Sequence, residues 1–180
     1  MKLVDGVIQR LDWPAIEINL LEQEGQRPLL LLHGPEPDHE WKSFAQSVVK
    51  VAIELNVELV VGLGSYPAAV PHTRPTRIAC TASTPELVKK LEFVTATLEI
   101  PAGIQASIEV AAAAAGIPAI GIWAQVPHYL SATGFPPATM ALLEGFTELT
   151  GIPIELGSLV EKSLATRSRL DDLIVQNPEH

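Results

Sequence analysis

Three short apolar runs, each closed by a polar loop, decide most of what this chain can become. Residues 28–32, 58–63 and 118–126 are of strand length and carry few polar side chains. Runs of that kind read as strands covered on both faces. Helical patterns separate them. Asp38 is placed as an N-cap, and the segment after it sets Trp41, Phe44, Ala45, Val48, Ala52 and Leu55 on one face. Ser83-Thr84-Pro85-Glu86 opens a second helix, expected to run to about Glu92, with 93–98 compatible with a strand. Residues 104–115 are rich in alanine and end at Gly116, so a helix buried on most sides is expected. A further helix over 137–149 stops at Gly151. Strands alternating with helices predict an α/β fold, built in layers on a largely parallel sheet.

The two ends differ from this pattern. Asp5-Gly6 is a two-residue hairpin signal, since both central residues of a type I′ turn need positive φ. Its first strand would be short, as though the chain began within a hairpin. Residues 15–20 alternate as a half-buried strand does, and 23–27 turn around Gly25. Near the other end, Ser158 and Glu161 form a capping box before an amphipathic helix. That helix carries Leu159, Val160, Leu164, Leu170, Leu173 and Ile174, and core packing is its expected use. The expected organisation is one α/β domain over 1–180: a β-hairpin region over 1–27, a core over 28–156 and the C-terminal helix over 157–177.

Composition narrows the function classes. The net charge of −9 opposes nucleic acid and anionic membranes, both of which need a basic face. No apolar run is long enough to span a membrane. The start shows no apolar signal-peptide core, so a cytoplasmic chain is expected. The single cysteine, Cys80, excludes an internal disulfide and a cysteine-rich metal site. There is no Gly-x-Ser-x-Gly elbow and no Walker A loop, and Pro67 stands where a dinucleotide fingerprint needs its third glycine. No cofactor and no metal are expected.

What chemistry there is gathers in loops. His33, His72 and His128 each follow a predicted strand, and ligand sites of open α/β sheets lie beyond the carboxyl ends of the strands. If the three strands are parallel, these loops share one edge. Glu36, Asp38, Thr73, Arg74 and Tyr129 would join them there. Imidazole, carboxylate and guanidinium together suit an anion, a metal or a polar small molecule. Each also has a plainer use: His72 could bond a turn carbonyl, Asp38 could serve only as a cap, and Arg74 could pair with Glu36 or Asp38.

Taken together, His33-Gly-Pro-Glu-Pro-Asp-His-Glu-Trp41, Val70-Pro-His-Thr-Arg-Pro75, Thr81-Ala-Ser83, Gly116-Ile-Pro118 and Trp123-Ala-Gln-Val-Pro-His-Tyr129 closely resemble one family. It is the bacterial, actinobacterial-type branch of the proteasome assembly chaperone type 2 family. The resemblance implies a three-layer α/β/α sandwich similar to phosphorylase and hydrolase cores, and cytoplasmic proteins that form homo-oligomers. Eukaryotic and archaeal relatives bind proteasome α subunits or assist assembly. The chain departs from the family in lacking the usual region before the Asp-Gly hairpin. Some relatives carry a carboxylate–amine ligase label, which no ATP-binding signature here supports. The leading expectation is a protein-interaction or assembly module with a protein partner and without chemistry. The alternative is a small-molecule hydrolase or phosphorylase-like enzyme with a His/Arg-lined pocket, Arg74 holding an anion and His72 or His128 moving a proton.

Overall fold

The computed structural model describes residues 1–22, 24–89 and 102–176. It divides into two compact units, Met1–Glu40 and Trp41–His180.

The larger unit is built on β5 (Val60–Ala68), β6 (Ile78–Ala82) and β7 (Ala119–Pro127), once β1 to β4 are counted in the smaller unit. β7 is the middle strand, parallel to β5 from Val60↔Ala119 to Ala68↔Pro127 and antiparallel to β6. The sheet is therefore mixed. Its alternation assigns the layers. Ala119 packs with Ala112 of α3 (Ile104–Ala114) and with Val49 and Ala52 of α1 (Trp41–Glu54). On the other face Ile120 meets Leu149, and Ala124 and Val126 meet Ala138, all of α4 (Pro136–Thr150). Leu170 of α5 (Leu159–Gln176) adds to that side. Helices thus cover both faces in an α/β/α arrangement. This explains why β7 reads as a continuous apolar run: Ala119, Ile120, Ile122 and Ala124 are wholly buried. Burying each isoleucine contributes roughly 2–3 kcal/mol.

Local signals hold where backbone chemistry sets them. Pro85 occupies the first turn of α2 (Pro85–Val88), after Thr84. Gly116 takes φ +79 beyond α3, and Gly151 takes φ +73 at the end of α4. The continuation of α2 to Glu92, and segment 93–100, lie outside the described residues. Among the described residues no helix is long and apolar enough to cross a membrane.

The smaller unit holds two antiparallel pairs. β1 (Lys2–Val4) and β2 (Val7–Arg10) are joined by Asp5 and Gly6 at φ +49 and +77, the type I′ geometry the dipeptide predicts. β3 (Glu17–Leu21) pairs with β4 (Leu29–His33) in register Glu17↔His33 to Leu21↔Leu29.

Five expectations change. The run at 28–32 is not a central strand covered on both faces: among the described residues β4 pairs only with β3, and Leu30 and Leu31 are exposed. A leucine run fixes strand formation, but its covering depends on elements elsewhere in the chain. β3 is exposed along its whole length rather than half-buried. Asp38 does not adjoin the helix, which starts three residues on at Trp41. α3 buries one face through Ile108, Glu109 and Ala112, while Val110 is exposed, so it is not enclosed on most sides. α5 likewise turns Val160, Leu164 and Leu173 outward, and among its described side chains only Ser163 is buried.

Candidate functional site

β5 runs on through Gly64 and Ser65 to Ala68, so the loop after it is confined to residues 69–77. Two short turns shape that loop, Val70 N–H to Ala68 O at 2.9 Å and Arg74 N–H to Pro71 O at 3.3 Å. Pro71 and Pro75 stiffen it by fixing φ. His72 between them is turned inward and is 1% exposed. β7 ends in a short 3₁₀ turn, His128–Leu130, which brings Tyr129 to the same place. Because β5 and β7 are parallel, their loops emerge on one edge and meet.

The contacts form a closed chain. The His72 backbone N–H donates to Tyr129 Oη at 2.9 Å, and the same oxygen lies 2.8 Å from His72 Nδ1. Having accepted from the backbone, the phenol donates its proton to Nδ1. Nε2 then carries the ring proton and donates to Asp171 Oδ1 of α5 at 3.1 Å. The tautomer follows from this network. The two rings meet edge to face, with centroids 6.1 Å apart. His128 stands edge-on to the other side of Tyr129 at 5.4 Å.

This arrangement is a clasp. One imidazole ties a proline-bracketed loop to the 3₁₀ turn and to the C-terminal helix. Both ring nitrogens are engaged, so His72 has no nitrogen left to accept a substrate proton. Thr73, Arg74, His128 and Tyr129 remain on the exposed side of this edge. Arg74 and Arg77 line a slot of about 10 Å³ with Gln125, room for roughly one water. His33, Glu36 and Asp38 belong to the smaller unit. There His33 Nε2 accepts from Asn19 Nδ2 across the strand pair at 2.6 Å and lies 3.8 Å from Glu17. Among the described residues no cluster of histidine, cysteine and acid has the makings of a metal site.

Two participants escape sequence reasoning. Asp171 sits on a charged helix face that reads as solvent-facing. Glu109 is the other, 8% exposed on α3. Its Oε2 accepts from Thr81 Oγ1 at 2.7 Å and its Oε1 from Gln105 Nε2 at 3.1 Å. Thr81 Oγ1 in turn accepts from Trp123 Nε1 at 3.1 Å. The network lies flat on β7 because Gly121 has no side chain: a Cβ there would collide with Glu109, Thr81 and Gln105. The available signal is a lone acid in an otherwise apolar alanine helix.

Burial pushes the Glu109 carboxyl above its ordinary 4.5, against the lowering effect of the Thr81 and Gln105 bonds. Burial, then the Glu109 charge, pushes the Cys80 thiol up as well, which keeps it protonated and inert. A carboxyl with a raised folded-state value supports the fold fully below about pH 4.5. That support fades as pH rises through the raised value. Glu109→Gln removes the titration while Gln105 can turn its amide to keep the bond. Urea titrations across pH 4–8 should therefore show the variant gaining on the parent as pH rises, and equal pH slopes would contradict this.

The model of the PAC2 family matches residues 1–174. The chain belongs to the PAC2 family. Solved structures agree. A proteasome-assembly chaperone homologue of Mycobacterium tuberculosis is 33% identical, with a TM-score of 0.89 over 98% of this chain and 75% of that one. A PAC2 family protein from Streptomyces avermitilis is 37% identical, with a TM-score of 0.86 over 96% of this chain and 74% of that one. A second Mycobacterium tuberculosis protein, described as of unknown function, is 30% identical with a TM-score of 0.87. This chain is covered over 99% there and spans 61% of that protein. No protein of curated function matches the chain. The PAC2 assignment thus rests on a family model and on structures at substantial identity, and it agrees with the resemblance carried by the loop motifs.

Proposed function

We propose that this PAC2 chain is a cytoplasmic protein-binding module that assists assembly of a larger complex, forms homo-oligomers and performs no chemistry of its own. One observation carries the reading. In the smaller unit β3 and β4 set Ile18, Leu20, Leu30 and Leu32 on one face by their register, while the opposite face mixes Glu17, Asn19 and His33 with Leu21, Leu29 and Leu31. Ile18, Leu20 and Leu30 are exposed. A contiguous apolar strip on a two-stranded sheet, with an outer edge on each strand among the described residues, is the chemistry of a protein contact. The name of the mycobacterial relative, a proteasome-assembly chaperone homologue, points the same way.

The hydrolase or phosphorylase-like alternative draws on the loop residues. Both nitrogens of His72 are held, so acid–base chemistry there would fall to the exposed His128. In the protein-binding reading Thr73, Arg74, His128 and Tyr129 meet a partner's surface beside a rigid clasp, and His33, Glu36 and Asp38 form a contact of their own in the smaller unit.

The test pairs affinity capture from a native lysate, read by quantitative mass spectrometry, with light scattering. The parent should enrich a defined partner and self-associate with concentration. Ile18→Lys with Leu20→Lys should lose either contact at an unchanged melting temperature. Failure to recover any protein above control from a parent that is also monomeric would end this reading, as would full recovery by the double variant.

A further inference from the structure

A cavity of about 320 Å³ opens at the carboxyl ends of β5 and β7, apart from the clasp. Ser65, Tyr66 and Pro67 reach it from β5, and Val126 reaches it from β7. The loop after the 3₁₀ turn and the first turns of α4 close it. That edge of a parallel pair is where α/β sheets hold ligands. The volume sits at the lower end of the range for small-molecule pockets.

Its walls select the ligand. Val126, Phe135 and Ala138 are buried and form an apolar floor, continued by the half-buried Leu142. Ser65, Ser131 and Thr139 supply hydroxyls at the exposed rim, and Thr133, whose hydroxyl donates to Leu130 O at 3.0 Å, offers an acceptor. Among the described residues no lysine, arginine, histidine, aspartate or glutamate lines the cavity. The start of α4 offers an anion little. Pro136 and Pro137 have no N–H, and the Ala138 N–H is spent on Phe135 O at 2.9 Å. A cation would find no carboxylate. A charge brought into these walls would lose water and gain no counter-charge.

We infer that this cavity binds a small uncharged molecule with a flat apolar body and a hydrogen-bonding edge. The apolar body lies on the Val126–Phe135–Ala138 floor, and the polar edge meets the hydroxyls of the rim. The inference is independent of the protein-binding reading, since none of its residues belongs to the β3–β4 strip.

Three probes of one shape and different charge test it: benzamide, benzoate and benzamidine. Each is titrated into the full chain and followed by saturation-transfer NMR. Benzamide should bind with a dissociation constant on the order of millimolar, as suits a fragment of its size. Both ions should bind at least about tenfold more weakly. Thr139→Trp fills the cavity from an exposed helix position, and Ser131→Trp fills it from the loop. Either should abolish benzamide transfer. The inference is overturned if benzamide gives no transfer, if an ion binds as well as benzamide, or if both tryptophan variants bind benzamide like the parent.

Discussion

Replacing His72 with alanine lowers the stability of the fold by about 3 kcal/mol, the scale for losing a buried, fully bonded side chain. The substitution leaves a cavity, takes the acceptor from the Tyr129 hydroxyl and takes the donor from Asp171. For a chain of this length it corresponds to a fall in melting temperature of roughly 10 °C. Related changes separate the arms of the clasp. Tyr129→Phe costs about 1–2 kcal/mol, because the His72 backbone N–H and Nδ1 both lose their partner. Asp171→Asn keeps an acceptor opposite Nε2 on a half-exposed side chain and costs under about 0.5 kcal/mol. Urea unfolding followed by tryptophan fluorescence measures all three. A His72→Ala protein as stable as its parent would show that the contacts hold nothing together.

Gly34→Ala has an effect of similar size by a different route. Gly34 follows directly on the last residue of β4 and has φ +148, a conformation open in practice to glycine alone. A Cβ there would come 2.7 Å from the Ile16 Cα and 2.8 Å from the Ala15 carbonyl oxygen. Both obstacles are backbone, so no side-chain rotation relieves them. The strain and the clash together cost about 3 kcal/mol, concentrated on the β3–β4 pair. Hydrogen exchange gives the local readout. Amides of 17–21 and 29–33 should lose protection while those of β7 keep theirs. Unchanged protection in β3 and β4 would show that the backbone there can yield.

The legible parts of this fold are those set by local chemistry. Asp5-Gly6 announces its turn, Pro85 its helix start, and Gly116 and Gly151 their helix ends, because each depends on a φ value or a missing N–H. The run at 118–126 is legible too, since a strand buried on both faces has no polar face to show. The run at 28–32 looks the same on paper and ends exposed, because composition records that a segment can be covered and not what covers it. The site divides likewise. The repeated Val-Pro-His points to one sheet edge, and His72 and Tyr129 do meet there. Asp171 lies 99 positions from His72 and is one acid among several on its helix, so only the packing of α5 singles it out. Glu109 is hidden by the same logic, as its meaning comes from Thr81 and Gly121, distant in sequence and adjacent in the sheet.

The placing of β7 between β5 and β6 also orders events in time. Val60 pairs with Ala119 and Ala82 with Ile120, so both outer strands are synthesised well before the strand that joins them. On the ribosome, residues 60–68 and 78–82 emerge before 119–127, and among the described residues no hairpin pairs them with each other. The sheet therefore closes late and through distant contacts, which makes folding slow for a chain of this size and leaves the nascent strands open to mispairing until β7 arrives.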